Sequence, residues 1–123
     1  MPYTRHNEAP EQQLHGFTFQ SLARSEQGAT ELAVWRILAP PRAASPRHSM
    51  SHEEAFVIQH GTLVATLGDE HIELGPGDCL TVPADTPFQL ANPFDQPAEA
   101  IACTRLGMAA IINGQSITPP WAR

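Results

Sequence analysis

The fold class this sequence predicts is all-β, and three observations predict it. Alternating or continuous apolar runs recur at intervals of roughly 8–12 residues, bounded by turn residues. Twelve prolines and eight glycines are spread along the chain rather than clustered. No window shows a capped 3.6-residue period. With 123 residues the chain makes one domain, and a domain of this size buries roughly two-thirds of its unfolded surface without needing staples.

Taken in order, residues 1–13 read as a loose polar arm that gains order by pairing with a neighbour. The barrel-forming segment is expected over 14–114. Its strands are GFTFQSLA (16–23), ELAVWRILA (31–39), RHSM (47–50), EAFVIQH (54–60) and TLVATL (62–67). They continue with HIEL (71–74), DCLTVP (78–83), PFQLAN (87–92), EAIACTRL (99–106) and MAAIING (108–114). Connections such as GDE (68–70), GPG (75–77) and NG (113–114) are short and carry the residues that take positive φ cheaply. Residues 115–123 form a tail whose Trp121 is expected to pack over a barrel edge or a neighbouring subunit.

Composition removes several functions. The seven cationic residues are all arginine, so a Schiff-base lysine or a P-loop is excluded. A net charge of −6 without a basic cluster argues against nucleic acid and against an anionic membrane surface. No run approaches the length of a membrane span, and MPYTRHNEAP has no apolar leader, so the cytoplasm is the expected compartment. Cys79 and Cys103 form no CxxC pair and read as small buried hydrophobes.

The chemistry concentrates in PRHSMSHEEAFVIQHG, 46–61, which holds three of the six histidines. Residues two apart share one face of a strand. His48 and Met50 therefore point the same way, and Glu54 does too if extended structure runs through. Convergent imidazole and carboxylate groups inside a barrel make a divalent-metal site, since the interior is the dry concave surface available.

Residues 48–61 read His48-x-Met50-x3-Glu54-x6-Gly61, and 77–92 read Gly77-x5-Pro83-x-Asp85-x2-Phe88-x3-Asn92. The pair resembles the two signature motifs of the cupin superfamily, usually His-x-His-x3-Glu-x6-Gly and Gly-x5-Pro-x-Gly-x2-His-x3-Asn. The 15 residues between Gly61 and Gly77 match the spacer of compact bacterial single-domain cupins. The resemblance implies a double-stranded β-helix, or jelly roll, with two antiparallel sheets around a central pocket. It also implies a metal set of three histidines and a glutamate, of which His48 and Glu54 remain. Met50 stands for the second histidine and Phe88 for the third.

Phe88 cannot coordinate, and a thioether suits Cu(I) better than Fe(II), Mn(II) or Zn(II). Two protein ligands hold Fe, Mn, Zn, Ni or Cu weakly at most, because stable catalytic sites usually have three. His52 has the right parity to compensate, although the resemblance places it ahead of the strand. Asp85 replaces a glycine and tolerates a left-handed turn. Asn92 is expected to cap the turn after its strand.

With ligands lost, the pocket is expected to be apolar. Met50, Phe56, Ile58, Phe88 and Leu90 share parity with His48, Glu54 or one another. From 31–39, either Trp35 faces inward as a stacking wall or Arg36 does as an anion clamp. A carboxylate at Glu54 has a raised pKa unless His48 pairs with it. The pair then serves as acid and base without metal, or persists as a hydrogen-bonded relic.

The leading expectation is a homodimeric cupin that binds a small, largely apolar metabolite. The alternative is a cupin enzyme of the dioxygenase, isomerase or cyclase type with a non-standard site on His48 and Glu54. A third reading is a structural domain with no ligand.

Overall fold

The computed structural model describes residues 2–123. Two layers of antiparallel strands face each other, with the apolar side of each turned inward. The first layer has six strands in the order β1 (Glu11–Leu14), β2 (Phe17–Ala23), β3 (Leu32–Ala39), β10 (Ala98–Arg105), β5 (Glu54–His60) and β8 (Cys79–Val82). The second contains two ribbons. One is β12 (Gln115–Ile117), β11 (Ala110–Ile112) and β4 (Ser49–Met50); the other is β7 (Glu70–Leu74), β6 (Leu63–Leu67) and β9 (Phe88–Ala91). Bridges Ala44–Ala91 and His48–Phe88 join the two ribbons. This is the jelly roll that the motif resemblance implies.

All ten strands expected from the sequence form. Two more are added at the ends: β1 pairs with β2 through a two-residue turn, with His15 at φ 53° and Gly16 at φ 84°, and β12 pairs with β11. Residues 11–13 thus pair with their own chain, and the expected boundary at 13/14 falls inside β1. Among the described residues no helix is long and apolar enough to cross a membrane.

Strand periodicity decides which residues face inward. In β3, Ala33, Trp35, Ile37 and Ala39 are buried while Leu32 and Leu38 are exposed. In β5 the buried set is Glu54, Phe56 and Ile58; in β10 it is Ala98, Ala100, Ala102 and Thr104. Registers align these into rows across the sheet: Ala33–Thr104–Glu54, Trp35–Ala102–Phe56 and Ile37–Ala100–Ile58. The middle strand contributes two alanines, each between larger neighbours, and a threonine between Ala33 and Glu54.

Two motif positions are explained by backbone demands. Gly61 has φ 71°, and a Cβ there would collide with the Pro97 carbonyl and come within 2.9 Å of the Ala98 Cα. Asp85 takes φ 60°, the left-handed turn expected of it, and its N–H donates to the Met50 carbonyl at 2.7 Å. Asn92 is fully buried. Its Nδ2 donates to the carbonyls of Ala39 (3.0 Å), Pro40 (3.3 Å) and Gln96 (2.8 Å), and its Oδ1 accepts from the Phe94 N–H. Asn92→Ala strands several buried carbonyls, so it is expected to cost about 3 kcal/mol. Chemical denaturation checks this; a midpoint within experimental error of the wild type would contradict the capping role.

Cys79 is exposed and Cys103 half-buried, both as free thiols. The expectation of two buried hydrophobes fails because Cys79 and Cys103 lie on the outward parity of β8 and β10, opposite Leu80, Val82 and Ala102.

Candidate functional site: a cavity between the sheets

The cavity between the layers has a volume of about 90 Å³. Its walls come from both sheets. Trp35 and Ile37 of β3, Glu54 and Phe56 of β5, and Phe17 and Phe19 of β2 face Met50 of β4, and Phe88 and Leu90 of β9. His48 closes one side, next to Ser45 and Pro46. The mouth carries Leu14, His15, Ile112 and Ile117, which are exposed or half-buried.

His48 and Phe88 occupy facing positions on adjacent backbone segments. Each donates its N–H to the other's carbonyl, at 3.0 and 2.8 Å, and their ring centroids lie 4.4 Å apart. Phe56 packs on the other side of Phe88 at 5.9 Å between centroids. The position at which the motif usually supplies a histidine is therefore filled by a ring packed at a tilt against both His48 and Phe56.

The His48 Nδ1 lies 2.8 Å from the Pro46 carbonyl. A carbonyl only accepts, so Nδ1 carries the proton and the neutral ring has its lone pair on Nε2. Burial lowers the His48 pKa; the Pro46 contact opposes this in part, and the neighbouring His15 adds to it. Glu54 is 2% exposed, and burial pushes its carboxyl up to about 8. The expected His48–Glu54 ion pair is not formed: no cation stands against Glu54 among the described residues. At neutral pH the site thus holds a mostly protonated carboxyl and a neutral imidazole.

Several sequence expectations need correction. Arg36 lies on the outer face, where its Nε donates to Gln20 Oε1 (3.2 Å) and its Nη1 to Glu99 Oε1 (3.4 Å). The alternation of β3 that turns Trp35 inward turns Arg36 out. Ile58 is buried one row beyond Phe56 and is not part of the cavity wall. His52 bonds Ser51 Oγ through Nδ1 at 2.8 Å in the bend before β5 and does not reach the cavity. Strand parity does not carry through a bend.

Two further wall residues come from near the ends of the chain. His15 had no recognisable partner in the sequence, and the β1–β2 turn places it at the mouth. Trp121 stacks on Phe19 with centroids 3.8 Å apart and planes at 4°, lidding one end of the cavity. Its position in a Pro-rich tail was the only signal available for that contact.

A divalent ion does not fit this wall. Among the described residues no group of three or more His, Cys, Asp or Glu is arranged to hold one. The phenyl ring of Phe88 occupies the space against His48 into which a ligand would reach.

The Cupin domain family model matches residues 35–104. No curated protein matches the chain. Among solved structures the chain is similar to the polyketide cyclase RemF from Streptomyces resistomycificus, with 16% identity and a TM-score of 0.78 over 98% of this chain and 82% of that one. It is also similar to KdgF from Halomonas sp., with 17% identity and a TM-score of 0.73 over 84% of this chain and 91% of that one. A cupin-superfamily sugar phosphate isomerase from Silicibacter pomeroyi shares 27% identity and a TM-score of 0.64 over 81% of this chain and 67% of that one.

Proposed function

The chain belongs to the cupin family, and from that premise we propose that it binds a small, largely apolar molecule in the barrel without a tightly held metal. The observation that carries the reading is the substitution pair at the usual ligand positions. Met50 and Phe88 are 4% and 1% exposed, and both form cavity wall. An apolar cavity with a few polar groups is the usual form of a small-molecule site.

The volume limits the occupant. About 90 Å³ is well below the roughly 300 Å³ at which drug-sized pockets begin. An engineered cavity of roughly 150 Å³ accepts benzene. A single ring, protruding in part through the mouth between Leu14 and Ile117, is therefore the upper size.

Titration with toluene, followed by the indole N–H resonances of Trp35 and Trp121, tests the reading. Saturable shifts are expected, weakened at least tenfold by Ile112→Trp, which narrows the half-buried mouth. Unsaturable shifts, or equal affinity in the variant, would sink it.

One observation favours a second reading. Glu54 and His48 line one cavity with pKa values displaced in opposite directions, so a carboxyl donor and an imidazole acceptor coexist near neutrality. Such a pair suits acid–base work, and the structural neighbours include a cyclase and an isomerase. On this reading Glu54→Gln abolishes any turnover found with small hydroxy ketones while the fold survives; retained turnover would exclude it.

The same proposal keeps a homodimer. Leu32, Leu38 and Val57 stand exposed on the outer face of the six-stranded sheet, and covering them is a reason to pair. Sedimentation equilibrium giving 13.4 kDa rather than twice that mass would remove this part.

A further inference from the structure

The mouth of the cavity carries aliphatic surface that the sealed part does not use. Leu14 and Ile117 are 39% and 46% exposed, and both belong to the cavity wall. They come from opposite layers. Leu14 ends β1, the edge strand of the six-stranded sheet, and Ile117 ends β12, the edge strand of one ribbon facing it. Paired residues of antiparallel strands project to the same face. Leu14 pairs with Phe17 and Ile117 with Ala110, and both partners are buried wall residues. Each edge strand thus carries the inner face of the cavity one strand further out. Single exposed aliphatics are ordinary, but these two stand together at an opening.

Dimensions say what that strip can take. The sealed volume of about 90 Å³ admits a single ring, part of which already stands in the mouth. An edge strand adds about 4.8 Å of wall, the spacing between neighbouring strands and roughly the reach of a three- or four-carbon chain. Leu14, Ile112 and Ile117 make that added wall aliphatic, and no lysine or arginine lines it. A polar substituent on the ring would shed water there without finding a partner, whereas an apolar one gains contact. Past Leu14 the wall turns polar at His15, exposed on the turn, which sets an outer limit to the strip.

We propose that the cavity takes an aromatic ring bearing an alkyl arm of about three or four carbons, the ring inside and the arm lying between Leu14, Ile112 and Ile117. This rests on the small-molecule reading above and adds the class of ligand.

A series of n-alkylbenzenes tests it, with affinity read from tryptophan fluorescence. Burying one methylene strengthens binding about fourfold. From toluene to propylbenzene the dissociation constant should fall at least fivefold, the arm being only partly covered. It should level off by pentylbenzene, whose chain end passes the strip. The terminal methyl protons of bound propylbenzene should give NOEs to the methyls of Leu14 and Ile117. Leu14→Ser combined with Ile117→Ser should cut the gain from toluene to propylbenzene below twofold. That comparison is made within the variant, so a general loss of affinity does not enter it. The series and the NOEs on the unaltered protein stand even if the variant fails to fold.

An affinity that is flat or falling from toluene to propylbenzene overturns the proposal and leaves the small-molecule reading standing. A gain without NOEs to Leu14 and Ile117 does the same. A gain that continues undiminished through pentylbenzene marks general partition onto apolar surface and also overturns it. So does a gain that disappears at high protein concentration, where a second copy covers Leu14 and Ile117. If no member of the series binds, the small-molecule reading falls and takes the proposal with it.

Discussion

Glu54→Gln is expected to make the protein more stable in alkali, against the usual cost of altering a buried motif residue. The folded state holds the Glu54 proton up to about pH 8, whereas the unfolded chain releases it near its ordinary value of 4.5. Between those values the folded state binds more protons, so stability falls as pH rises and levels off above 8. The accumulated loss is on the order of 5 kcal/mol. Glutamine has nothing to release. The variant should match the wild type near pH 4.5 and melt roughly 20 °C above it at pH 9.

His48 acts on the acid side with the opposite sign. Its folded pKa is lowered, so its contribution is present above the ordinary histidine value of 6.5 and is lost as pH falls through the folded value. Thermal melts of wild type and Glu54→Gln from pH 5 to 9 check the account; parallel curves would mean that Glu54 has a partner or a water path that the geometry does not contain.

The second large effect comes from restoring what the motif usually has. Met50→His combined with Phe88→His places three imidazoles and the Glu54 carboxylate around one cavity, the composition that suits a divalent transition metal. The double variant should bind about one equivalent of a divalent ion such as Zn(II) or Ni(II), measured by calorimetry, and lose toluene binding with its apolar wall. Wild type should show no comparable heat. Each single variant has one added imidazole and should fall between. A wild type already as tight as the double variant would mean that His48 and Glu54 recruit further ligands.

Much of this was legible in the sequence, for physical reasons. Period-two alternation located the strands because each has one buried face. The motif turns were visible because Gly61 and Asp85 sit at positive φ, which few residues accept. Asn92 read correctly as a cap since its amide satisfies backbone groups nearby in sequence as well as Ala39. The cavity's polar core, His48 and Glu54, came from the resemblance to the cupin motifs, since a histidine and a glutamate at that spacing are weak evidence by themselves.

The rest depends on contacts that sequence order does not encode. Whether Trp35 or Arg36 faces inward turns on the outer-face partners Gln20 and Glu99, from β2 and β10. His52 shares parity with Glu54, but the bend at 51–52 breaks the face. The arm looked like a loose end, yet β1 brings His15 to the mouth; the tail was expected to pack through Trp121, but its partner, Phe19, lies almost the whole chain away. The missing ion pair was equally hidden, because His48 spends its Nδ1 on a carbonyl two residues away.

The central claim is that Met50 and Phe88 make the usual metal position into the wall of a cavity for a small, largely apolar molecule. Elemental analysis of untagged protein, beside a His48→Ala control, addresses it most directly. The account predicts transition metal far below one equivalent in both samples. About one equivalent in the wild type, lost in His48→Ala, would contradict it and give the enzyme reading the lead.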